Sequence, residues 1–453
     1  MRGNGPAVLR ALWIALILPV AVHLAAAGAQ ANPVGIALGR AMATLNGPWL
    51  FRVGDDPRWA QPDFDDMSWE RVDLTPTPGA TDGDVGLPGY VPGWTAKGHP
   101  GYHGFAWYRI HLNVEPPAGE SLAVLGPWAV DSAYQVYANG TLVGGVGGFA
   151  DPIPTAYGDH YPRMFLLRPR VAGGPIVIAI RVWMGAWGAN EPGAGGIHIA
   201  PAIGGRNAIA AQYRLEQLKI FEGYAVDAVP SLLFFLAAAA ALCLIPFDPG
   251  DRAYPWLAIA LTLSGIQRGN QAFFFWWQIE TVQNFVIFIV ALTGSLAFAA
   301  WMMAWRSWFK LDRPKWLVWA IAGVTPALML AQLLARPWLF DAAFPHAVLA
   351  GLGYLISGLR LAFLLMLALI AFFGTRRHGR EAWLGLPAVL ALVAVLFTAE
   401  LVKIGVPGIW FPWGVGLSLS ECASVVLVAM LAFLLLRRLW SHAPRAAAVS
   451  SVA

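Results

Sequence analysis

The sequence predicts a multidomain membrane protein in which an all-β sandwich precedes an all-α bundle of seven transmembrane helices. Three observations predict it. The chain has 453 residues, of which 58% are hydrophobic and 12% charged, against ~25% charged residues in ordinary soluble domains. Beyond the first 29 residues, apolar residues form long unbroken runs only after Gln217, whereas before it they alternate with period two. Lys and Arg cluster on alternate connections between the runs, as a multi-pass topology requires.

The first residues read as an export signal over 1–29. Arg2 and Arg10 supply a basic start, Ala11 to Ala27 an apolar stretch, and "AAAGAQA" small-residue cleavage sites. Residues 30–211 are then expected outside the cytoplasm. In "FAWYRIHLNV", Tyr108, Ile110, Leu112 and Val114 share one face, and Arg109, His111 and Asn113 the other. "PIVIAIRVW" alternates in the same way. "AYQVYANGTLVGG" sets Asn139-Gly140 between two short runs, a hairpin signal because a type I′ turn needs positive φ twice. No cysteine lies in this stretch, so no disulfide holds it; Cys243 and Cys422 both sit in later apolar runs and read as small hydrophobes.

A hydrocarbon core ~30 Å thick needs roughly 20 apolar residues in a helix. Seven runs qualify: 218–245, 254–277, 282–309, 316–334, 344–373, 383–404 and 413–436. They define a helical domain over 212–440 and a short tail over 441–453. No inverted repeat or broken helix is visible in them. Trp316, Trp338, Trp383, Trp410, Trp413 and Trp440 stand at run ends, where an aromatic belt meets headgroups. If the first run enters from outside, the inner segments "PFDPGDR", "RSWFKLDRPK", "GTRRHGR" and "RRLWSHAPR" hold eleven Lys and Arg, and the outer connections hold Arg336 and Lys403. The expected placement is therefore a bacterial inner membrane, with the β domain periplasmic and the C-terminus cytoplasmic. Charge agrees. Residues 30–217 hold sixteen acidic and twelve basic groups, and those after 217 hold ten and sixteen. The pI near 9.1 thus reflects topology rather than a nucleic-acid partner.

"LNGPWLFRVGDDPRWAQPDFDDMSWERVDL", "GFAWYRIHLNV", "LGPWAVDSAYQVYANGTLVGGVGG", "IAIRVW" and "GGIHIAPAIG" resemble, in that order, the N-terminal jelly roll of glycoside hydrolase family 2. The resemblance implies a galactose-binding-like module that shapes or supports a sugar site. That family's catalytic barrel is not matched, and the reading expects no enzyme, no cofactor and no metal. An exported jelly roll followed by seven spans resembles bacterial seven-transmembrane receptors with diverse intracellular signalling modules. Members of that family continue into a kinase, cyclase or phosphatase. Here the sequence ends in "SHAPRAAAVSSVA", so output is expected to pass to such a cytoplasmic signalling protein in trans.

Two loops carry the chemistry of sugar recognition, in which rings stack on C–H faces and polar groups fix hydroxyls. The Gly-rich loop "YVPGWTAKGHPGYHGFAWYR" offers Trp94, His99, Tyr102 and His103; "WMGAWGANEPGAGG" offers Trp187, Asn190 and Glu191. Trp107 reads as framework. Asp63, Asp65 and Asp66 form an acidic group, but calcium wants about six to eight oxygens, and turn-capping is the simpler reading. His99 and His103 lack a third metal ligand. Within the runs, Asp227, Arg268, Arg360, Glu400 and Glu421 come from the first, second, fifth, sixth and seventh spans, all placed near the midplane or the outer half. Ionisable groups are costly in lipid. These five are expected to share one polar cavity, either as a switch or ligand site or as a static network; Glu400 and Lys403 also have the spacing of a local pair.

The expected function is a receptor. It binds a small extracytoplasmic ligand, with carbohydrates among the candidates, through the β-sandwich and signals through the helices. Alternatives are a membrane-anchored carbohydrate-binding protein, and a transporter or membrane enzyme using intramembrane carboxylates. No P-loop, dinucleotide fingerprint, nucleophile elbow or zinc-protease helix is found.

Overall fold

The computed structural model describes residues 34–37, 42–83, 86–115, 120–157, 162–168, 175–189, 191–277, 279–340, 344–378, 380–411 and 415–450. The export signal lies outside the described residues. Beyond it the chain forms a β-sheet region and then a helical region.

The β region contains β1 (Val34–Ala37), β2 (Met42–Thr44), β3 (Trp49–Val53), β4 (Glu70–Val72), β5 (Gly104–Glu115), β6 (Leu122–Leu125), β7 (Val130–Asp131), β8 (Ala133–Ala138), β9 (Thr141–Val146), β10 (Met164–Leu166), β11 (Pro175–Met184), β12 (Gly196–Ile197) and β13 (Ala202–Gly205). A seven-stranded sheet runs β4-β3-β5-β11-β8-β9, with β1 pairing parallel to the far end of β5. A four-stranded sheet runs β10-β6-β13-β2. The two share one core: Tyr108, Ile110 and Leu112 of β5 and Ile176, Ile178 and Ile180 of β11 meet Leu122 and Val124 of β6 and Ile203 of β13. The period-two pattern thus names the inward face. Asn139 and Gly140 have φ of 44° and 76°, which turns β8 into β9 as the Asn-Gly pair predicts.

The Asp- and Trp-rich segment folds back over the outer face of the large sheet. Trp59 and Trp69 pack with Trp107 and Leu50 into a satellite core. Arg109, expected on the open face, is instead fully buried beneath this cover. Its Nε donates to Asp66 at 2.7 Å, its Nη1 to the Gln61 and Trp59 carbonyls, and its guanidinium lies 5.8 and 5.9 Å from the Phe64 and Trp69 rings. His111 bonds the same Asp66 oxygen at 2.8 Å. The Asp63–Asp66 group therefore closes a buried ion pair and, through Asp65, an Asx turn onto Met67 N–H.

The helical region contains α1 (Arg206–Leu244), α2 (Ala253–Trp276), α3 (Val282–Trp308), α4 (Trp316–Leu334), α5 (His346–His378), α6 (Leu386–Leu396), α7 (Thr398–Lys403) and α8 (Leu419–Ser450). Among the described residues, five helices are long and apolar enough to cross a membrane: α1, α3, α4, α5 and α8. Leu236, Trp319, Tyr354 and Leu390 stand outward on the helices, as lipid contact demands. Two of the seven expected runs differ. α2 has the length, but Ser264, Gln267, Arg268, Asn270 and Gln271 make its second half polar. The sixth run is interrupted at Phe397, whose φ of −117° and ψ of 27° leave the helix. The expectation of unbroken helices is thereby corrected. At the break, Arg360 Nη2, from α5, donates to the Leu396 carbonyl at 2.8 Å and replaces the helical bond that is lost there. α3 also carries a π-helical segment, Val286–Thr293.

The β region runs into the helices without a linker. β13 ends at Gly205 and α1 starts at Arg206, ahead of the boundary expected at 212. At 39 residues, α1 is about 58 Å long, far more than a ~30 Å hydrocarbon core needs. Its first turns are sheathed by the β region: Ile209 packs on Ala123, Leu125 and Ala202. Ile220 and Tyr224 join Trp128, Ala129 and Ile199, together with Ala272 of α2. The opposite end of the helices is tied by Arg438, whose Nη1 meets Asp251 at 2.8 Å while its guanidinium lies 3.6 Å over Trp308.

Candidate functional site

The candidate ligand residues of the outer loops fall into three groups. Trp94 is 2% exposed, packed against the Phe51 and Tyr102 rings, and its Nε1 donates to the Tyr102 carbonyl at 3.1 Å. It can turn inward because Gly195 faces it; a Cβ there would stand 2.3 Å from the indole. Tyr102 is half-buried, donating its hydroxyl to the Phe105 carbonyl at 2.5 Å and accepting from Gly54 N–H at 3.1 Å. His99 bonds Glu70 at 3.0 Å and packs edge-on to Phe51. Trp94, His99 and Tyr102 are thus brought together as a packed, internally bonded loop, with His103 exposed beside them. Trp187 lies 5.5 Å from Trp183 and 5.1 Å from Trp338, the latter on the connection after α4. It joins the β region to the helices. Glu191 is exposed, its carbonyl accepting from Thr95 Oγ1 at 3.0 Å; Asn190 lies outside the described residues. Among the described residues, no group of three or more His, Cys, Asp or Glu is arranged to hold a metal ion.

A polar pocket does exist where the β region meets α1. About 180 Å³ in volume, it is lined by Asn46, Trp128, Gln212, Glu216 and Lys219 among others. Lys219 sits 5.8 Å from the Trp128 ring centroid and 3.4 Å from Glu216, which also accepts from the Gln212 amide. Pockets at such junctions are a common place for ligands. Sequence reasoning missed it because its residues come from separate β segments and from the start of α1, which only the fold brings together. The spacing of 212, 216 and 219 on one helix face is the signal that was present.

The five charges of the helical region form two groups, and only their arginines line a common cavity. Asp227 lies 3.2 Å from Arg268, and Glu421 lies 3.9 Å from the same nitrogen. Glu421 also caps a helix. It accepts from Ser418 N–H at 2.7 Å while Ser418 Oγ accepts from Glu421 N–H at 3.2 Å, a capping box at the start of α8. Arg360 pairs with both oxygens of Glu400 and lies over Phe298 and Phe397. Glu400 therefore meets Arg360 across helices. Both arginines line a cavity of about 260 Å³, with Ser264, Gln267, Gln271 and Gln332 and the apolar Phe234, Phe298 and Leu396. Ser264, Gln267, Arg268 and Gln271 follow the i, i+3, i+4, i+7 spacing of one helix face. That stripe is readable in the sequence, although only Arg268 is flagged by its charge. The π segment of α3 forms another wall, through Ile289 and Val290; such segments recur at functional sites.

The two sites share α1. Gln212, Glu216, Lys219, Gly223 and Asp227 recur every three or four residues, so the pocket groups and the Arg268 partner lie along one face. From Glu216 to Asp227 the rise is about 16 Å.

No family model matches the chain, and no curated protein matches it. Solved structures similar to it include a Bacteroides uniformis β-glucuronidase at 23% identity, covering 36% of this chain and 17% of that one, with a TM-score of 0.25. Another is a β-glucuronidase from glycoside hydrolase family 2, at 19% identity over 38% and 18% of the two chains, TM-score 0.25. A third is a family 2 member from Bacteroides cellulosilyticus, at 20% identity over 36% and 20%, TM-score 0.24. The chain thus covers a fifth or less of each of these proteins. The expectation that the chain is not an enzyme is corrected by these neighbours, which are glycoside hydrolase enzymes. That exclusion is withdrawn. The likeness is confined to the N-terminal β region, and no activity or substrate is carried over from it.

Proposed function

We propose that the protein is a bacterial inner-membrane receptor. In this reading a periplasmic jelly-roll domain and seven membrane helices follow an export signal, with the C-terminus cytoplasmic. A small extracytoplasmic ligand, of carbohydrate type, binds in the junction pocket against Trp128 and Lys219. The observation that carries the reading is the continuity of α1, which brings Glu216 and Lys219 of the pocket and Asp227 of the ion-pair group onto one rigid helix face. A ligand that repositions Lys219 shifts α1 along or about its axis. The Asp227–Arg268–Glu421 group then re-pairs, which biases the start of α8. Population shift requires only that the ligand bind one arrangement better than the other. At the far end, the basic connections Arg306 to Lys315 and Arg376 to Arg380 present the surface for a kinase, phosphatase or cyclase in trans.

The test uses the full chain in lipid nanodiscs, with Cys243 and Cys422 replaced and a reporter cysteine introduced by Lys310→Cys. A glycan and small-molecule thermal-shift screen identifies a stabilising compound. The reading expects that compound to change the labelling rate at position 310 severalfold, and Trp128→Ala to abolish both effects. A compound that binds at Trp128 and leaves labelling unchanged returns the protein to a plain binder.

A second reading has one specific observation in its favour. The helix interruption at Phe397 borders the polar cavity, and transporters place substrate sites at such breaks. Uptake of a cavity ligand into sealed vesicles, blocked by Arg360→Gln, distinguishes transport from reception.

A further inference from the structure

The cavity between the helices has more hydrogen-bonding capacity than the protein uses. Gln332 is 6% exposed, and its Oε1 has no hydrogen-bond partner among the described residues. A buried amide oxygen left unpaired is unfavourable, so this one marks a place that something else fills. Arg360 uses Nε and Nη2 on Glu400 and the Leu396 carbonyl, which leaves Nη1 for the cavity that it lines. Arg268 donates from Nη1 to Asp227, which leaves Nε and Nη2. Gln267, Gln271 and Ser264 add amides and a hydroxyl on the α2 wall.

Charge decides what kind of molecule fits. The two guanidiniums that line the cavity are already paired with carboxylates that do not line it, Arg268 with Asp227 and Glu421 and Arg360 with Glu400. An anion would have to compete with those carboxylates for the guanidiniums, and a cation would meet two arginines. A neutral molecule rich in hydroxyls suffers neither penalty, because each hydroxyl both accepts from Arg and Gln N–H groups and donates to Gln332 Oε1. Phe234 and Phe298 add an apolar wall for its C–H groups. The volume, about 260 Å³, lies just below the ~300–1,000 Å³ of pockets for drug-sized ligands, and far exceeds the ~30 Å³ share of one water.

We infer that this cavity is a binding site for a small neutral polyol of monosaccharide size, with Gln332, Arg360 and Arg268 as its polar anchors. It is separate from the junction pocket and does not depend on the receptor reading, because occupancy is measurable without any output.

The experiment is a thermal-stability titration of the full chain in nanodiscs with D-glucose, D-xylose and myo-inositol, and with D-glucuronate as the charged comparator. It is run on the wild type, Gln332→Leu, Arg360→Gln and Trp128→Ala. At least one neutral polyol is expected to stabilise the wild type saturably and more tightly than glucuronate. Gln332→Leu weakens that polyol about tenfold yet leaves the unliganded protein as stable or more so, since it removes an unpaired carbonyl. Trp128→Ala leaves the affinity unchanged. The inference is overturned if no neutral polyol stabilises the protein, if Gln332→Leu leaves affinity unchanged, if glucuronate binds more tightly, or if Trp128→Ala alone removes binding and so places the sugar in the junction pocket.

Discussion

At the scale of single residues, the most consequential pair is Arg109 with Asp66. Both are buried, at 0% and 4% side-chain exposure, so removing either leaves an uncompensated charge. Asp66→Ala is expected to destabilise the protein by about 3–5 kcal/mol, measured by equilibrium unfolding, whereas Asp63→Ala changes little. Burial pushes the Asp66 carboxyl up, but hydrogen bonds from His111 and Arg109 outweigh it and hold its pKa below the usual carboxylate range. A depressed folded-state pKa means that the stabilisation is present above the unfolded value, ~3.9, and is lost as pH falls through the folded value. Stability measured from pH 5 downward should therefore fall less steeply in Asp66→Ala than in the wild type. His198 has the opposite sign. Burial lowers its pKa, but Asp131, at 2.9 Å, and the Val91 carbonyl outweigh this and raise it. Its contribution is complete below ~6.5 and is lost as pH rises through the folded value. The sequence shows that an Asp- and Trp-rich segment exists, but not that it covers Arg109. Period two put Arg109 outward, and only the long return of the chain from β3 to β4 buries it. Trp94 is similar: its inward turn depends on Gly195, which lies beyond most of the β strands.

At the scale of elements, periodicity was a good guide where an element is regular and a poor one where it is interrupted. The inward faces of β5 and β11 and the Asn-Gly hairpin follow from local pattern. α4 spans the same residues, 316–334, that its apolar run predicts. The break between α6 and α7 has no Pro or Gly to announce it, and the group that satisfies the Leu396 carbonyl there, Arg360, comes from another helix. Arg360→Gln should destabilise the helical region by about 1–3 kcal/mol, a range discounted because Glu400 is partly exposed. Adding Glu400→Gln should recover part of that loss. The α1–α2 contact is another element-scale device. Ser231 Oγ donates to the Gly265 carbonyl at 2.7 Å, and a Cβ on Gly269 would stand 2.7 Å from Ser231 Oγ. Small residues let helices approach closely in membranes. Gly269→Leu is accordingly expected to separate the helices, weaken Asp227–Arg268 and lower the unfolding midpoint measurably.

At the scale of the whole molecule, the β region and the helices meet through side chains whose place the sequence does not announce. Trp187 was expected at a ligand and sits against Trp338. The Ala156 carbonyl accepts from Val282 N–H at the start of α3, at 3.2 Å. Such contacts join distant parts of the chain, and composition or spacing cannot reveal them. Trp338→Ala should loosen this docking and speed hydrogen exchange in residues 183–189. The central claim is that α1 couples the junction pocket to the ion pairs below it. A double-mutant cycle on unfolding stability in nanodiscs, using Lys219→Ala and Asp227→Asn, tests it most directly. Independent sites add within about 0.3–0.5 kcal/mol. The account predicts an interaction energy above that range, and additivity within it would contradict the coupling.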